Sequence, residues 1–127
     1  MILIVDDHVD TCRALIRLLK FEGIDAECVD DPAAAVRVIE SLQPTLLVLD
    51  QMMPGLRGTD VLKSIREIPS LAAIPAIFYS ASTEGEQDAR QLGALDWLVK
   101  GRTGWHELKR RVVDVYHARR AAGPAGS

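Results

Sequence analysis

Five strand-sized apolar runs, near residues 2–5, 26–29, 45–49, 75–79 and 95–99, alternate along the chain with segments of helical periodicity. That alternation calls for a parallel sheet with helices on both faces, because each helical crossover must return over the sheet before the next parallel strand begins. The reading is therefore α/β: a doubly wound, five-stranded parallel sheet with five helices in a single domain. A chain of 127 residues buries roughly two-thirds of its unfolded surface, which suffices for one core and leaves no room for a second.

The helices can be placed from their apolar stripes. In the first, Cys12, Leu15, Ile16 and Leu19 recur at i, i+3, i+4 and i+7, and Gly23 stops it. Asp31 caps the second and Pro32 takes its first position, while Ala35, Val38, Ile39 and Leu42 form its buried stripe before Gln43-Pro44. Val61, Leu62 and Ile65 sketch the third. The fourth is short: it opens on Thr83-Glu84-Gly85-Glu86, which has capping-box spacing, turns Ala89 and Leu92 inward, and ends at Leu92-Gly93. The fifth buries Leu108, Val112, Val115 and Tyr116 and turns Lys109, Arg110, Arg111, Arg119 and Arg120 outward. The domain thus runs over residues 1–121, and residues 122–127 read as a disordered tail.

A net charge of −3 gives no basis for direct nucleic-acid binding or for a membrane surface. The longest apolar runs fall far short of the ~20 residues of a membrane span. Cys12 and Cys28 sit in apolar contexts without metal-ligand spacing, which reads as two buried free thiols and a reducing, cytoplasmic setting. His8, His106 and His117 share no ligand spacing and read as solvated, with His8 beside an acid pair.

The chemistry collects where strands stop. Asp6 and Asp7 follow Ile2-Leu3-Ile4-Val5, Asp50 follows Leu46-Leu47-Val48-Leu49, Ser80 closes Ala76-Ile77-Phe78-Tyr79, and Lys100 follows Val99. In an open α/β sheet the carboxyl ends of the strands form the ligand-binding edge. Three carboxylates crowded there repel one another without a cation, and Mg²⁺ is commonly held by one or two carboxylates plus phosphate oxygens. Acids, a hydroxyl and an ammonium on one edge point to phosphate chemistry.

The segment from Asp50 to Gly58, taken with Asp6-Asp7, Ser80-Ala81, Gly93-Ala94, Trp97 and Lys100, resembles the receiver domain of bacterial two-component response regulators over residues 1 to about 121. The resemblance implies a flavodoxin-like strand order of 2-1-3-4-5. It implies that Asp50 is the phosphoacceptor, charged by a histidine kinase or phosphotransfer protein. Mg²⁺ would be held by Asp6, Asp7, Asp50 and the backbone carbonyl of Met52, with Lys100 and Ser80 contacting the phosphoryl group. It further implies a switch through Ser80 and Trp97, tuning of the acyl-phosphate lifetime at Met52 and Ser82, and an output surface on the fourth helix, fifth strand and fifth helix. The output protein is unspecified, a homodimer is left open, and the module signals rather than turning over substrate as an enzyme. The pattern departs at Gly101, where the family has a proline that is often cis.

Two other classes compete with this reading. A phosphorylation-independent interaction or dimerisation module is suggested by Gly101 and Trp97 but opposed by the complete acid, hydroxyl and lysine set. A small phosphohydrolase would need a second acid two residues after Asp50, and Met52 stands there.

Overall fold

A computed structural model describes residues 1–122; the remainder of the expected tail, from Gly123 on, lies outside the described residues. Strands β1 (Ile2–Val5), β2 (Ala26–Val29), β3 (Leu46–Leu49), β4 (Ala76–Ser80) and β5 (Asp96–Val99) alternate with α1 (Val9–Phe21), α2 (Ala35–Leu42), α3 (Gly58–Arg66), α4 (Glu86–Gln91) and α5 (Trp105–Ala121). All strands pair in parallel, in the order β2-β1-β3-β4-β5.

Side chains alternate across the pleat, so each strand supplies both faces. Leu3, Val5, Leu47, Leu49, Ala76 and Phe78 pack towards Ala35, Ile39, Val61, Leu62, Ile65 and Ala89 of α2, α3 and α4. Ile2, Ile4, Leu46, Val48, Ile77 and Tyr79 pack towards Leu15, Leu19, Leu108, Val112 and Val115 of α1 and α5. β1, β3 and β4 are buried along their whole length, which is why they read as unbroken apolar runs.

Three local expectations need correction. Asp31 does accept the Ala33 N–H at 3.0 Å, but the turn it opens, Pro32–Ala34, is 3-10 and α2 proper begins at Ala35. Leu42, assigned to the buried stripe, is exposed because α2 ends there and Gln43 turns left-handed at φ 48°. At α4 the capping box does not form. Gly85 is the N-cap at φ 90°, and the Ser82 hydroxyl instead accepts the Glu84 N–H at 2.9 Å. The true reciprocal acid is at α3, where Asp60 accepts the Arg57 N–H at 2.9 Å.

Cys12 and Cys28 are not free thiols: they are joined in a disulfide, with Cα atoms 6.0 Å apart. The first turn of α1 lies over β2, and that packing, rather than any sequence spacing, brings the pair to bonding distance. Both sulfurs sit 3.5–3.6 Å from the carbonyl oxygen of Asp6. The inference of a reducing compartment from unpaired thiols is therefore withdrawn. With the partners 16 positions apart in sequence, replacing both with serine is expected to lower the unfolding free energy by about 3 kcal/mol. Urea denaturation of the double variant beside oxidised and reduced wild type checks this, and equal midpoints for all three would refute it.

The basic outer face of α5 is less free than expected. Arg111 donates to Asp96 at 2.9 Å and Lys109 pairs with Glu22 at 3.1 Å, whereas Arg110 faces solvent. Among the described residues no helix is long and apolar enough to cross a membrane.

Candidate phosphoacceptor site

β1 and β3 lie side by side at the centre of the sheet, where the chain reverses the direction in which it adds strands. This is the position that opens a crevice at the carboxyl ends. The last ladder bonds fix the acids there: the Asp6 N–H donates to Val29 O at 3.1 Å and the Asp50 N–H to Val5 O at 2.9 Å. From the far side the Lys100 N–H donates to Ser80 O at 2.9 Å. Residues separated by up to 94 positions thereby converge, and Lys100 Nζ reaches Asp6 Oδ2 at 2.8 Å and Asp50 Oδ2 at 3.7 Å.

Asp50 is 2% exposed. Burial, then the neighbouring Asp6 charge, pushes its carboxyl above the usual carboxylate range, while Lys100, the Ser80 hydroxyl and His8 pull it back. Asp50 Oδ2 and Asp7 Oδ1 are buried without a hydrogen-bond partner. Orphaned anionic oxygens on adjoining carboxylates are what a divalent cation satisfies, so the donor set fits such an ion.

The loop after Asp50 is held by groups that the motif reading missed. Gln51 is buried, with its amide oxygen accepting the Thr59 N–H at 2.9 Å and its amide nitrogen donating to Thr59 Oγ1 at 3.1 Å. The only hint in the sequence was an uncharged amide next to the acid. Gly58 must be glycine because a Cβ there would overlap the Asp50 carbonyl oxygen and stand 2.9 Å from the Phe78 ring. Met52 lies on the open side of the loop, bridged antiparallel to Arg57, and is half-exposed. Arg57 in turn pairs with Glu84 across the crevice.

Ser80 is fully buried beside the acids, and its Oγ lies 3.4 Å from the Ser82 nitrogen. Trp97 is already inside: its ring stacks on Phe78 with centroids 4.7 Å apart, and its indole N–H donates to Ser82 O at 3.0 Å. The Lys100–Gly101 peptide is trans, since among the described residues none is cis. Gly101 sits at φ 88°, which the proline ring cannot adopt. The turn closes instead through Thr103, whose N–H donates to Val99 O at 2.8 Å and whose hydroxyl accepts the Val99 N–H at 3.2 Å.

The largest surprise is His8, expected to be solvated. Its ring is 60% exposed, yet Nδ1 lies 3.0 Å from Asp6 Oδ1, 3.2 Å from Asp7 Oδ1 and 3.6 Å from Asp50 Oδ2. The backbone N–H of the same residue donates to Asp6 Oδ1 at 2.9 Å, folding the chain back over the acids. His106 and His117 are exposed and belong to α5.

A parallel sheet of this order, with an acid cluster at the carboxyl ends of β1 and β3 reached by a lysine that follows β5, defines a phosphoacceptor class of signalling domain. Residues 2–112 match the response regulator receiver domain, and the chain belongs to that family. It is 32% identical over 101 residues to the DNA-binding response regulator MtrA of Mycolicibacterium paratuberculosis, a match covering 78% of this chain and 44% of that protein. The chain thus spans less than half the length of the curated relatives it matches. A response regulator receiver protein from Pseudomonas putida superposes with a TM-score of 0.79 at 32% identity, covering 89% of this chain and 94% of the other. The response regulator TrrA of Thermotoga maritima, solved in complex with Mg²⁺-BeF, gives 0.77 at 27% identity, covering 90% and 96%. The interaction-only alternative finds no support in a site whose acids and lysine all converge.

Proposed function

We propose that the domain accepts a phosphoryl group on Asp50 from the phosphohistidine of a histidine kinase or phosphotransfer protein. The observation that carries this reading is the pairing of a buried, partnerless Asp50 oxygen with Lys100 Nζ 3.7 Å away, at the mouth of the acid cluster. The ionised Asp50 oxygen attacks phosphorus, the bond to the donor's imidazole nitrogen breaks, and an acyl phosphate forms. Asp6, Asp7, Asp50 and the Met52 carbonyl would hold Mg²⁺, which when bound neutralises charge on the transferring group. Lys100 swings from Asp6 to a phosphoryl oxygen as a flexible point charge, and the Ser80 hydroxyl donates to another.

The Mg²⁺-BeF complex of TrrA shows that a relative of this fold takes the ion together with a beryllium fluoride. Because the histidine donor is charged from ATP, the reading places the domain in the cytoplasm. The partner surface would comprise α4, β5 and α5, where Leu95 and Trp105 are exposed and Asp96 and Arg111 are paired. The Trp97 indole bonded to Ser82 O, and the Ser82 nitrogen facing Ser80 Oγ, would link that face to the buried Ser80.

Incubation with acetyl phosphate and Mg²⁺, followed by intact-mass spectrometry, tests the proposal. One phosphoryl group should be gained, and a chelator should abolish the gain; no gain by a folded, Mg²⁺-binding protein would overturn it. Met52 cannot orient a water by hydrogen bonding, and it is half-exposed two residues after Asp50. Met52→Asn should therefore speed loss of the phosphoryl group by at least about tenfold, the scale of a positioned water. An unchanged half-life of the phosphorylated protein would count against this role.

A further inference from the structure

We propose that His8 Nδ1 is a fourth side-chain donor, beside Asp6, Asp7 and Asp50 and in addition to the Met52 carbonyl, to the cation of this site, giving it a preference for a divalent first-row transition ion such as Mn²⁺ over Mg²⁺. This rests on the phosphoacceptor reading and deepens it by naming the ion class. One donor atom from each of the four residues lies within 4.8 Å of the others. From Nδ1 the three carboxylate oxygens stand at 3.0, 3.2 and 3.6 Å. Donors sharing one ion at roughly 2.1 Å are separated by about 3.0–3.4 Å at octahedral to tetrahedral angles, so Nδ1 sits at the spacing of a ligand.

Two further observations aim the group at an ion. Asp50 Oδ2 and Asp7 Oδ1, which Nδ1 faces, are buried without hydrogen-bond partners. Lys100 occupies Asp6 Oδ2, so the Oδ1 atom facing His8 is the one turned to the shared centre. Mg²⁺ is a hard ion that favours oxygen and water, whereas imidazole nitrogen suits the later first-row metals. Exchanging one water for an imidazole therefore raises affinity for the softer ion more than for Mg²⁺.

The test uses the intact chain with Mn²⁺ and Mg²⁺ as probes. Pulsed electron paramagnetic resonance of the Mn²⁺-loaded wild type should show nitrogen modulation, which His8→Phe removes. Calorimetry should show the Mn²⁺-over-Mg²⁺ affinity ratio falling at least about tenfold in the variant, the scale on which metal sites lose affinity when a supporting group is removed. Absence of nitrogen modulation in a wild type that binds Mn²⁺ overturns the inference, even if the variant misfolds. Should that protein still gain its phosphoryl group with Mg²⁺, the phosphoacceptor reading stands alone. A folded wild type that binds neither ion removes both.

Discussion

Asp50→Asn should abolish the Mg²⁺-dependent gain of a phosphoryl group from acetyl phosphate, read by intact mass, and at the same time make the metal-free protein more stable. The loss follows because the amide has no anionic oxygen to attack phosphorus, while Asp6 and Asp7, without the acceptor's geometry, offer no substitute. The gain follows because the ionised Asp50 is an electrostatic liability: 2% exposed, beside Asp6, with one oxygen unpartnered. Burial and the Asp6 charge raise its pKa in the folded state, so the folded protein holds that proton more tightly than the unfolded chain. Its contribution to stability is complete in acid, below the usual carboxylate pKa, and is lost as pH rises through the raised folded value. The Asn variant lacks that slope. Its advantage over wild type in urea denaturation with a chelator should vanish in acid, grow across that window and then level off. Saturating Mg²⁺ should shrink the advantage at neutral pH, since the cation offsets the same repulsion. An Asn variant that is phosphorylated would place the acceptor elsewhere, and one less stable than wild type at neutral pH would contradict the electrostatic account.

The acid cluster was legible because each of its members stands at the end of an apolar run. β1, β3 and β4 are buried on both faces and so announce themselves without alternation, and in a parallel sheet whatever follows a strand is delivered to the same edge. What stayed hidden depends on distances between elements. The Cys12–Cys28 bond arises from α1 lying across β2. Gln51 acts by tying the loop after Asp50 to Thr59, and a single buried amide carries no periodicity. His8 reads as solvated because it shares no ligand spacing with His106 or His117, and its ring is indeed largely exposed; its backbone bond to Asp6, which folds it back over the acids, has no signature in the residue itself. At α4 the capping-box spacing pointed to Thr83, but Gly85 supplied a left-handed cap at φ 90° and the helix began later. At Gly101 the departure from the family pattern was visible. Its meaning, a trans turn at positive φ closed by Thr103, was not.

Trp97→Ala should cost about 3–5 kcal/mol of unfolding free energy, the range for removing a large aromatic from a core. That is a large share of the roughly 5–15 kcal/mol that holds a domain together. The ring lies nearly parallel to Phe78, 8° between planes, and closes the cluster beneath α3 and α4. Nothing nearby is free to fill the space, because Phe78 is itself fully buried and pinned above by Gly58. Trp97→Phe separates packing from signalling. It keeps a stacked ring but loses the indole N–H bonded to Ser82 O, so its cost should fall to about 1 kcal/mol beyond the smaller ring. With Trp97 already buried, phosphorylation at Asp50 would reach the partner face through the Ser82 carbonyl rather than through an inward swing of an outer ring. Ser82 is two residues from the buried Ser80 hydroxyl, so any shift of Ser80 towards the phosphoryl group pulls on that bond. Tryptophan fluorescence should therefore change on phosphorylation in the wild type. The change should disappear in Trp97→Phe, where only Trp105 reports, while the phosphoryl group is still gained. A fluorescence change retained in that variant would assign the signal to Trp105 and break the proposed route through Ser82.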